Sequence, residues 1–180
     1  MNKYIIGIDQ STQGTKAVLV DQDGKILLRK DRPHRQIVNE IGWVSHDLEE
    51  IYRNTLTIVK ELIEDSGVPG SAIYGVGITN QRETTAAFRR DGSPVTEAIV
   101  WQCSRAKNIV ARMSKEDPGF AAMVLDRTGI PFSPFYPAAK MRWILENVAG
   151  GSKDGASGRH FEDLKEDILF LLNFSKIQRK

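Results

Sequence analysis

Apolar and polar positions in the first part of the chain follow the short runs that are typical of β-strands. These runs predict strands over about residues 3–8, 16–21 and 25–30, with a hairpin turn at Asp23-Gly24 between the second and the third. Apolar residues then recur at spacings of three and four between Asp47 and Gly67, which predicts a helix capped at both ends. Its predicted buried face comprises Leu48, Ile51, Tyr52, Leu56, Val59, Leu62 and Ile63.

The next apolar run, Ala72–Thr79, has the length of a strand, and we expect it to lie parallel to the first strand because a helix separates them. Further runs predict strands at Thr84–Phe88 and Ala98–Trp101. Helices are predicted over about residues 104–115, 119–128 and 137–148. The fold class is therefore α/β, with a mixed sheet flanked by helices.

Composition narrows the class of protein. The 180 residues carry a net charge of +2, from 25 basic and 23 acidic side chains that are interspersed, which argues against an extended nucleic-acid surface. The single cysteine, Cys103, excludes an internal disulfide and fits a reducing compartment. No signal-peptide pattern or membrane-length apolar stretch is present in the sequence, so a soluble, cytoplasmic protein is predicted.

A polar turn follows the first strand. It places Asp9, Ser11, Thr12 and Lys16 together, with backbone N–H groups, hydroxyls and an ammonium that suit a phosphate and a carboxylate that suits its metal ion. The turn matches neither a Walker A loop nor a Rossmann fingerprint. On the loop alone, a plain hairpin turn explains the same residues equally well.

A second polar cluster follows the Ala72–Thr79 strand. Ligands of α/β sheets bind beyond the carboxyl ends of parallel strands, so the turn at Asp9–Lys16 and the turn at Thr79–Glu83 are expected to be neighbours. Arg82 and Glu83 offer a donor and an acceptor side by side, as a polyol requires. Taken alone, they fit a solvated ion pair as well.

Five segments, in order, resemble the N-terminal domain of the FGGY family of carbohydrate kinases, most closely the members that act on glycerol. They are Gly7–Thr12, Gly42–Asp47, Gly77–Thr85, Ala98–Cys103 and Thr128–Leu145. The resemblance implies a ribonuclease-H-like, actin-like ATPase fold. It also implies transfer of the γ-phosphoryl group of ATP, with Mg²⁺, to a hydroxyl of a small-molecule polyol or sugar.

The resemblance also implies residue roles. Asp9 would position the metal; Ser11, Thr12 and Lys16 would hold phosphate oxygens; Arg82 and Glu83 would bind substrate hydroxyls; Trp101 would cover the carbon backbone. Lys16 stands where members acting on glycerol often have Arg, and Phe135 stands where they usually have a substrate-contacting Tyr. Either a hydroxyl is missing there or the neighbouring Tyr136 supplies it, so another polyol or a ketose fits as the acceptor as well as glycerol does.

The resemblance covers about residues 3–148, and it implies that residues 1–148 form a partial kinase domain. We hypothesise that residues 149–180 form a linker and a non-family tail that arises from a shifted reading frame, with a short helix at Phe161–Phe174. The family's general-base Asp and second domain would lie beyond residue 180, so no catalytic residue is assigned and turnover by this chain alone is not expected.

Two other functions can be compared with this one on the same residues. A non-catalytic remnant that binds a polyol or a phosphate is the alternative. A ribonuclease-H-like nuclease is disfavoured because Asn80, Gln81 and Arg82 are poor ligands for a two-metal site. Neither nucleic acid nor a membrane is expected as a partner, and the sequence is compatible with an oligomer.

Overall fold

The structure is a computed structural model that describes residues 2–149 and 168–171. The chain divides into two compact units. The described residues of the first unit are 2–36 and 46–82, and those of the second are 37–45, 83–149 and 168–171. Within the described residues, no helix combines the length and the apolar character needed to cross a bilayer.

The first unit contains a four-stranded mixed sheet with the order β3-β2-β1-β6. Strand β1 pairs antiparallel with β2 and parallel with β6, which confirms the predicted return of the chain beside the first strand. The elements are β1 (Tyr4–Gln10), β2 (Gly14–Val20), β3 (Ile26–Pro33), α1 (Leu48–Ser66), a 3₁₀ turn (Gly70–Ala72) and β6 (Ile73–Asn80).

Helix α1 begins and ends where its capping residues predict. The Asp47 carboxylate accepts hydrogen bonds from the backbone N–H groups of Glu49 (2.8 Å) and Glu50 (3.2 Å), which are donors that the helix itself leaves unsatisfied. Gly67 ends the helix in the left-handed conformation with φ 64°.

The buried face of α1 differs from the predicted one. Ile58 and Leu62 are fully buried against Ile6, Ile8, Ala17 and Leu19 of the sheet. Tyr52 and Leu56 are 61% and 54% exposed, so their predicted burial was wrong. Leu56 lies roughly 200° around the helix axis from Ile58, because each residue advances the helix by about 100°.

The second unit is built from short strands and helices. Strand β5 (Val44–His46) lies between β4 (Gln36–Val38) and β8 (Ala98–Ile99), although the last residue of β5 and the first of β4 belong to the first unit. The remaining elements are β7 (Ala86–Arg89), α2 (Lys107–Glu116), α3 (Phe120–Thr128), α4 (Pro137–Ile144) followed by a π-helical turn (Leu145–Ala149), and β9 (Ile168–Leu171).

Strand β9 corrects one prediction. The helix expected over Phe161–Phe174 is wrong where the structure describes it, because Ile168–Leu171 pairs antiparallel with β7. A short continuous apolar run fits a strand as well as a helix, so periodicity alone could not separate them. The rest of that predicted helix, and most of the predicted linker and tail, lie outside the described residues.

Candidate functional site

The turn between β1 and β2 brings three predicted site residues together. Ser11 donates to the carbonyl of Gly14 through both its backbone N–H (2.9 Å) and its hydroxyl (2.9 Å). Lys16 Nζ lies 3.5 Å from Ser11 Oγ and 3.7 Å from the Asp9 carboxylate. An ammonium, a hydroxyl and a carboxylate therefore share one end of β1. Thr12 lies half-buried in the same turn.

Gly14 fixes this turn against β3. A Cβ atom at this position would lie 2.5 Å from the carbonyl oxygen of Arg32 and 2.8 Å from Cα of Pro33. Both neighbours are backbone atoms, which cannot rotate away as a side chain could. Only glycine therefore fits, and the close approach of the two strands holds the turn in place.

A cleft of about 500 Å³ runs along the sheet from the same turn. Gly7 and Gly77 pair in register in the floor of this cleft, and they have no side chains to fill it. Asp9, Lys16, Arg29 and Thr79 also line the cleft. Most of the cleft surface is apolar, and its charged groups are two cations and the Asp9 carboxylate, with the Thr79 hydroxyl beside them.

The ends of β1 and β6 are neighbours, as predicted. Asp9 pairs in register with Thr79, and the backbone N–H of Gln81 donates to the carbonyl of Gln10 at 2.6 Å. The parallel pairing therefore continues past the strands into the polar turns. It carries the chain up to Arg82, which is exposed and is the last of the described residues of the first unit.

Behind these strand ends lies a histidine pair that the sequence analysis did not detect. His46 is fully buried, and its Nδ1 lies 3.2 Å from the side-chain nitrogen of Gln81. The rings of His34 and His46 meet edge to face at 4.6 Å. Burial, helped by the charge of His34, lowers the pKa of His46 to about 4, and burial also lowers the pKa of His34. Both rings are therefore neutral near pH 7.

In the second unit, one buried cation, Lys140, contacts the backbone of Glu83 and of Phe135, and the ring of Phe135 meets that of Trp101. The rings of Trp101 and Phe135 meet at 5.7 Å, with an interplanar angle of 62°. The side chain of Lys140 donates to the carbonyl oxygens of Glu83 (3.1 Å) and Phe135. The backbone of Glu83 is left-handed, with φ 64°. Sequence reasoning had matched Lys140 to the family without assigning it a role.

A metal ion at this site would have one obvious protein ligand. Within the described residues, no three His, Cys, Asp or Glu side chains form a metal-binding group. Asp9 presents a half-exposed carboxylate, and Lys16 stands beyond hydrogen-bond distance from it. Mg²⁺ commonly uses one or two carboxylates and completes its shell with phosphate oxygens and water, so the site fits Mg²⁺ brought by a nucleotide.

Comparison with solved proteins defines the fold class as that of the actin-like ATPases. The crystal structure of Plasmodium falciparum glycerol kinase with ADP matches this structure with a TM-score of 0.79 and 27% sequence identity. The match covers 94% of this chain and 32% of that one. This confirms the predicted fold class.

The chain belongs to the FGGY family of carbohydrate kinases, whose N-terminal domain model matches residues 4–154. "Glycerol kinase 1" of Thermotoga maritima is 42% identical over 156 residues, which are 86% of this chain and 31% of that protein. A glycerol kinase of Ectopseudomonas mendocina is 38% identical over 99% of this chain and 36% of its own length. The chain thus spans about a third of the length of the curated relatives that it matches.

Proposed function

We propose that this chain supplies the phosphate-binding turn and part of the acceptor site of an ATP-dependent kinase that phosphorylates a polyol hydroxyl in the cytoplasm. Glycerol is the acceptor to test first, because the relatives described above are glycerol kinases. The observation that carries the proposal is the grouping of Asp9, Ser11 and Lys16 at the carboxyl end of β1.

Lys16 is the residue best placed to hold the phosphates of ATP. Its side chain is 40% exposed and lines the cleft, and its ammonium lies 3.5 Å from the Ser11 hydroxyl. Ser11 and Thr12 would add hydroxyl contacts beside it, and Asp9 would hold Mg²⁺. When bound, Mg²⁺ neutralises charge on the phosphoryl oxygens.

Arg82 and Glu83, which are neighbours in sequence, are the proposed ligands of the acceptor hydroxyls, and Trp101 and Phe135 are the proposed aromatic contacts. The guanidinium only donates hydrogen bonds and the carboxylate only accepts them, so together they match both halves of a hydroxyl. The paired rings present an apolar surface suited to the C–H groups of a small polyol. A site built to pair hydroxyls rejects analogues that lack them.

The first test measures binding by the chain itself. Calorimetry with MgATP and with glycerol should detect binding of each, and Lys16→Met should weaken MgATP binding by about tenfold or more because it removes the ammonium beside Ser11. Lys25→Met, which removes an exposed lysine at the β2–β3 turn, is the matched control. Loss of MgATP binding in both variants, or in neither, would contradict the proposed role of Lys16.

The second test measures turnover. Residues 1–148 would replace the matching segment of the Thermotoga enzyme, and ADP release would be followed with glycerol, xylulose and ribulose. We expect turnover with at least one acceptor, and loss of most of it in Lys16→Met. A folded chimera that is inactive with all three acceptors would overturn the proposal. Turnover by the 180-residue chain alone would contradict the expectation that its catalytic base lies elsewhere.

A further inference from the structure

Lys140 is the largest fully buried side chain described in this protein. Lysine is almost never fully buried unless its charge is paired. Lys140 is in helix α4, and its ammonium contacts backbone carbonyl groups. It donates hydrogen bonds to Glu83 O at 3.1 Å and to Phe135 O, and it lies 5.9 Å from the centre of the Phe135 ring. A cation placed in this way holds backbone segments together.

Glu83 is one of these segments, and its conformation needs support. Among the described residues it is the one non-glycine residue with a positive φ, at 64°. A left-handed backbone is unfavourable for a residue with a long side chain and persists where the surroundings enforce it. The hydrogen bond from Lys140 to the Glu83 carbonyl oxygen is one such constraint, and it acts on the strained residue itself.

Phe135 is the other segment. Its carbonyl accepts from the same ammonium, and its ring packs against Trp101. One buried charge therefore contacts the backbone of Glu83 and the backbone of Phe135, whose ring packs against Trp101. Glu83 and Phe135 are distant in sequence, so the ammonium supplies a link between them that no strand or helix provides.

We propose that Lys140 is a positioning residue for polyol binding, which holds Glu83 in its left-handed conformation and fixes Phe135 beside Trp101. This role rests on the proposed function, because it is through those three residues that Lys140 would act on the acceptor. Burial lowers the pKa of Lys140 to about 8, against the opposing effects of Glu83 and Cys103. The side chain thus carries its charge below about pH 8.

The decisive experiment is a double-mutant cycle read by urea unfolding, which needs no ligand. Lys140→Met keeps the apolar stem and removes the donor, and Glu83→Gly removes the backbone strain. We expect Lys140→Met to lower the urea midpoint more in the Glu83→Gly background than in a Glu83→Gln background. The strain remains in Glu83→Gln and is released when the hydrogen bond is lost, which offsets part of the cost, and both backgrounds lack the carboxylate that attracts the ammonium. Equal shifts in both backgrounds would overturn the proposed link. If Lys140→Met does not fold, the same comparison is made with Lys140→Gln, where a larger shift in the Glu83→Gly background supports the link and equal shifts contradict it.

The second readout is glycerol affinity, with Lys115→Met as the matched control because that lysine is exposed near the end of α2. We expect Lys140→Met to lose at least tenfold in affinity, the control to stay unchanged, and Lys140→Gln, which keeps two donors, to recover part of the loss. Unchanged affinity in Lys140→Met would overturn the positioning role.

Measuring glycerol affinity against pH distinguishes an effect of the Lys140 charge from an effect of its packing alone. The titratable groups that act on the ammonium are Glu83 and Cys103. Wild-type affinity for glycerol should fall as the pH rises through about 8, whereas the affinity of Lys140→Met should stay low and flat. Parallel profiles would contradict the role of the charge. If the wild-type chain binds no glycerol at all, the proposed function fails, while the urea cycle still decides whether Lys140 supports Glu83.

Discussion

The two units hold their candidate site residues by different means. In the first unit, Asp9 and Lys16 occupy opposite positions on β1 and β2, and the backbone ladder sets where they lie. In the second unit, β8 has two residues and β7 has four, so few ladder bonds are available. There, buried side chains donate to carbonyl oxygens: Lys140 to Glu83 and Phe135, and Arg105 to Val44.

The difference shows how a chain can position its site residues without long strands. A ladder distributes the task over many weak bonds, and any one of them can be lost at small cost. Where a buried cation positions the residues instead, one side chain makes several of the hydrogen bonds. Its removal leaves several carbonyls and hydroxyls without partners. Single substitutions away from the ligand should therefore disturb the second unit through its cations and the first unit through its apolar core.

The largest effect is expected in the first unit from Leu19→Ala. Leu19 is fully buried between the sheet and α1, so the change should lower the free energy of unfolding by about 2–5 kcal/mol. Urea or thermal denaturation measures the loss. Leu27→Ala is the control, since Leu27 on β3 is 43% exposed, and it should cost well under half as much. Equal losses would show that this core does not carry the stability of the unit.

A slightly smaller effect is expected in the second unit from Arg105→Met. Its guanidinium donates to Ser45 Oγ (2.6 Å), Val44 O (3.3 Å) and Cys103 Sγ (3.0 Å). It also lies 5.1 Å from the ring centre of each of two tryptophans, Trp43 and Trp143. Leaving those buried acceptors unpaired should cost roughly 3 kcal/mol.

The matched control for that substitution is Arg127→Met, because Arg127 is exposed in the last turn of α3. It should change the free energy of unfolding by about 0.5 kcal/mol or less. If Arg105→Met lowered the free energy of unfolding no more than this control, buried cations would not stabilise the second unit in the way described above.

The smallest effect is a pH dependence in the first unit. The pKa of His46 is about 4 in the folded chain, whereas its ordinary value, which applies to the unfolded chain, is 6.5. Between about pH 4 and pH 6.5 the unfolded chain therefore binds a proton at this ring more readily than the folded chain does. Stability is therefore lost as the pH falls from about 7 to about 5, by about 2 kcal/mol from this residue. The measurement is urea unfolding of wild type and His46→Gln across this range. Equal slopes in the two proteins would count against the buried neutral ring.

Much of the first unit could be predicted from sequence because its signals are local. Asp47 and Gly67 mark the ends of α1, and the spacing of helix and strand implies the parallel pairing of β1 with β6. The error at Leu56 and the omission of Ile58 arose because apolar residues occur on more than one side of α1. Which side is buried depends on where β2 and β3 lie, and the helical pattern does not contain that information.

The second unit was harder to predict, for a physical reason. The proposed roles of Lys140 and Glu83 depend on contacts between residues far apart in sequence, and no short-range rule predicts a left-handed backbone at a glutamate. The His34–His46 pair in the first unit was missed for the same reason. The limit of the family domain at residue 148 stays a prediction. So do the roles of all the candidate site residues, which are Asp9, Ser11, Thr12, Lys16, Arg82, Glu83, Trp101 and Phe135.

The burial of Cys103 makes the second unit observable by thiol labelling. Its sulfur is enclosed beside Arg105 and the backbone N–H of Val44, and it is the only thiol in the sequence. A thiol reagent can react there only while the surrounding structure is open, so its rate of incorporation reports the free energy of that local opening. A mass spectrometer could follow this rate in every variant described above, without a dye or a tag.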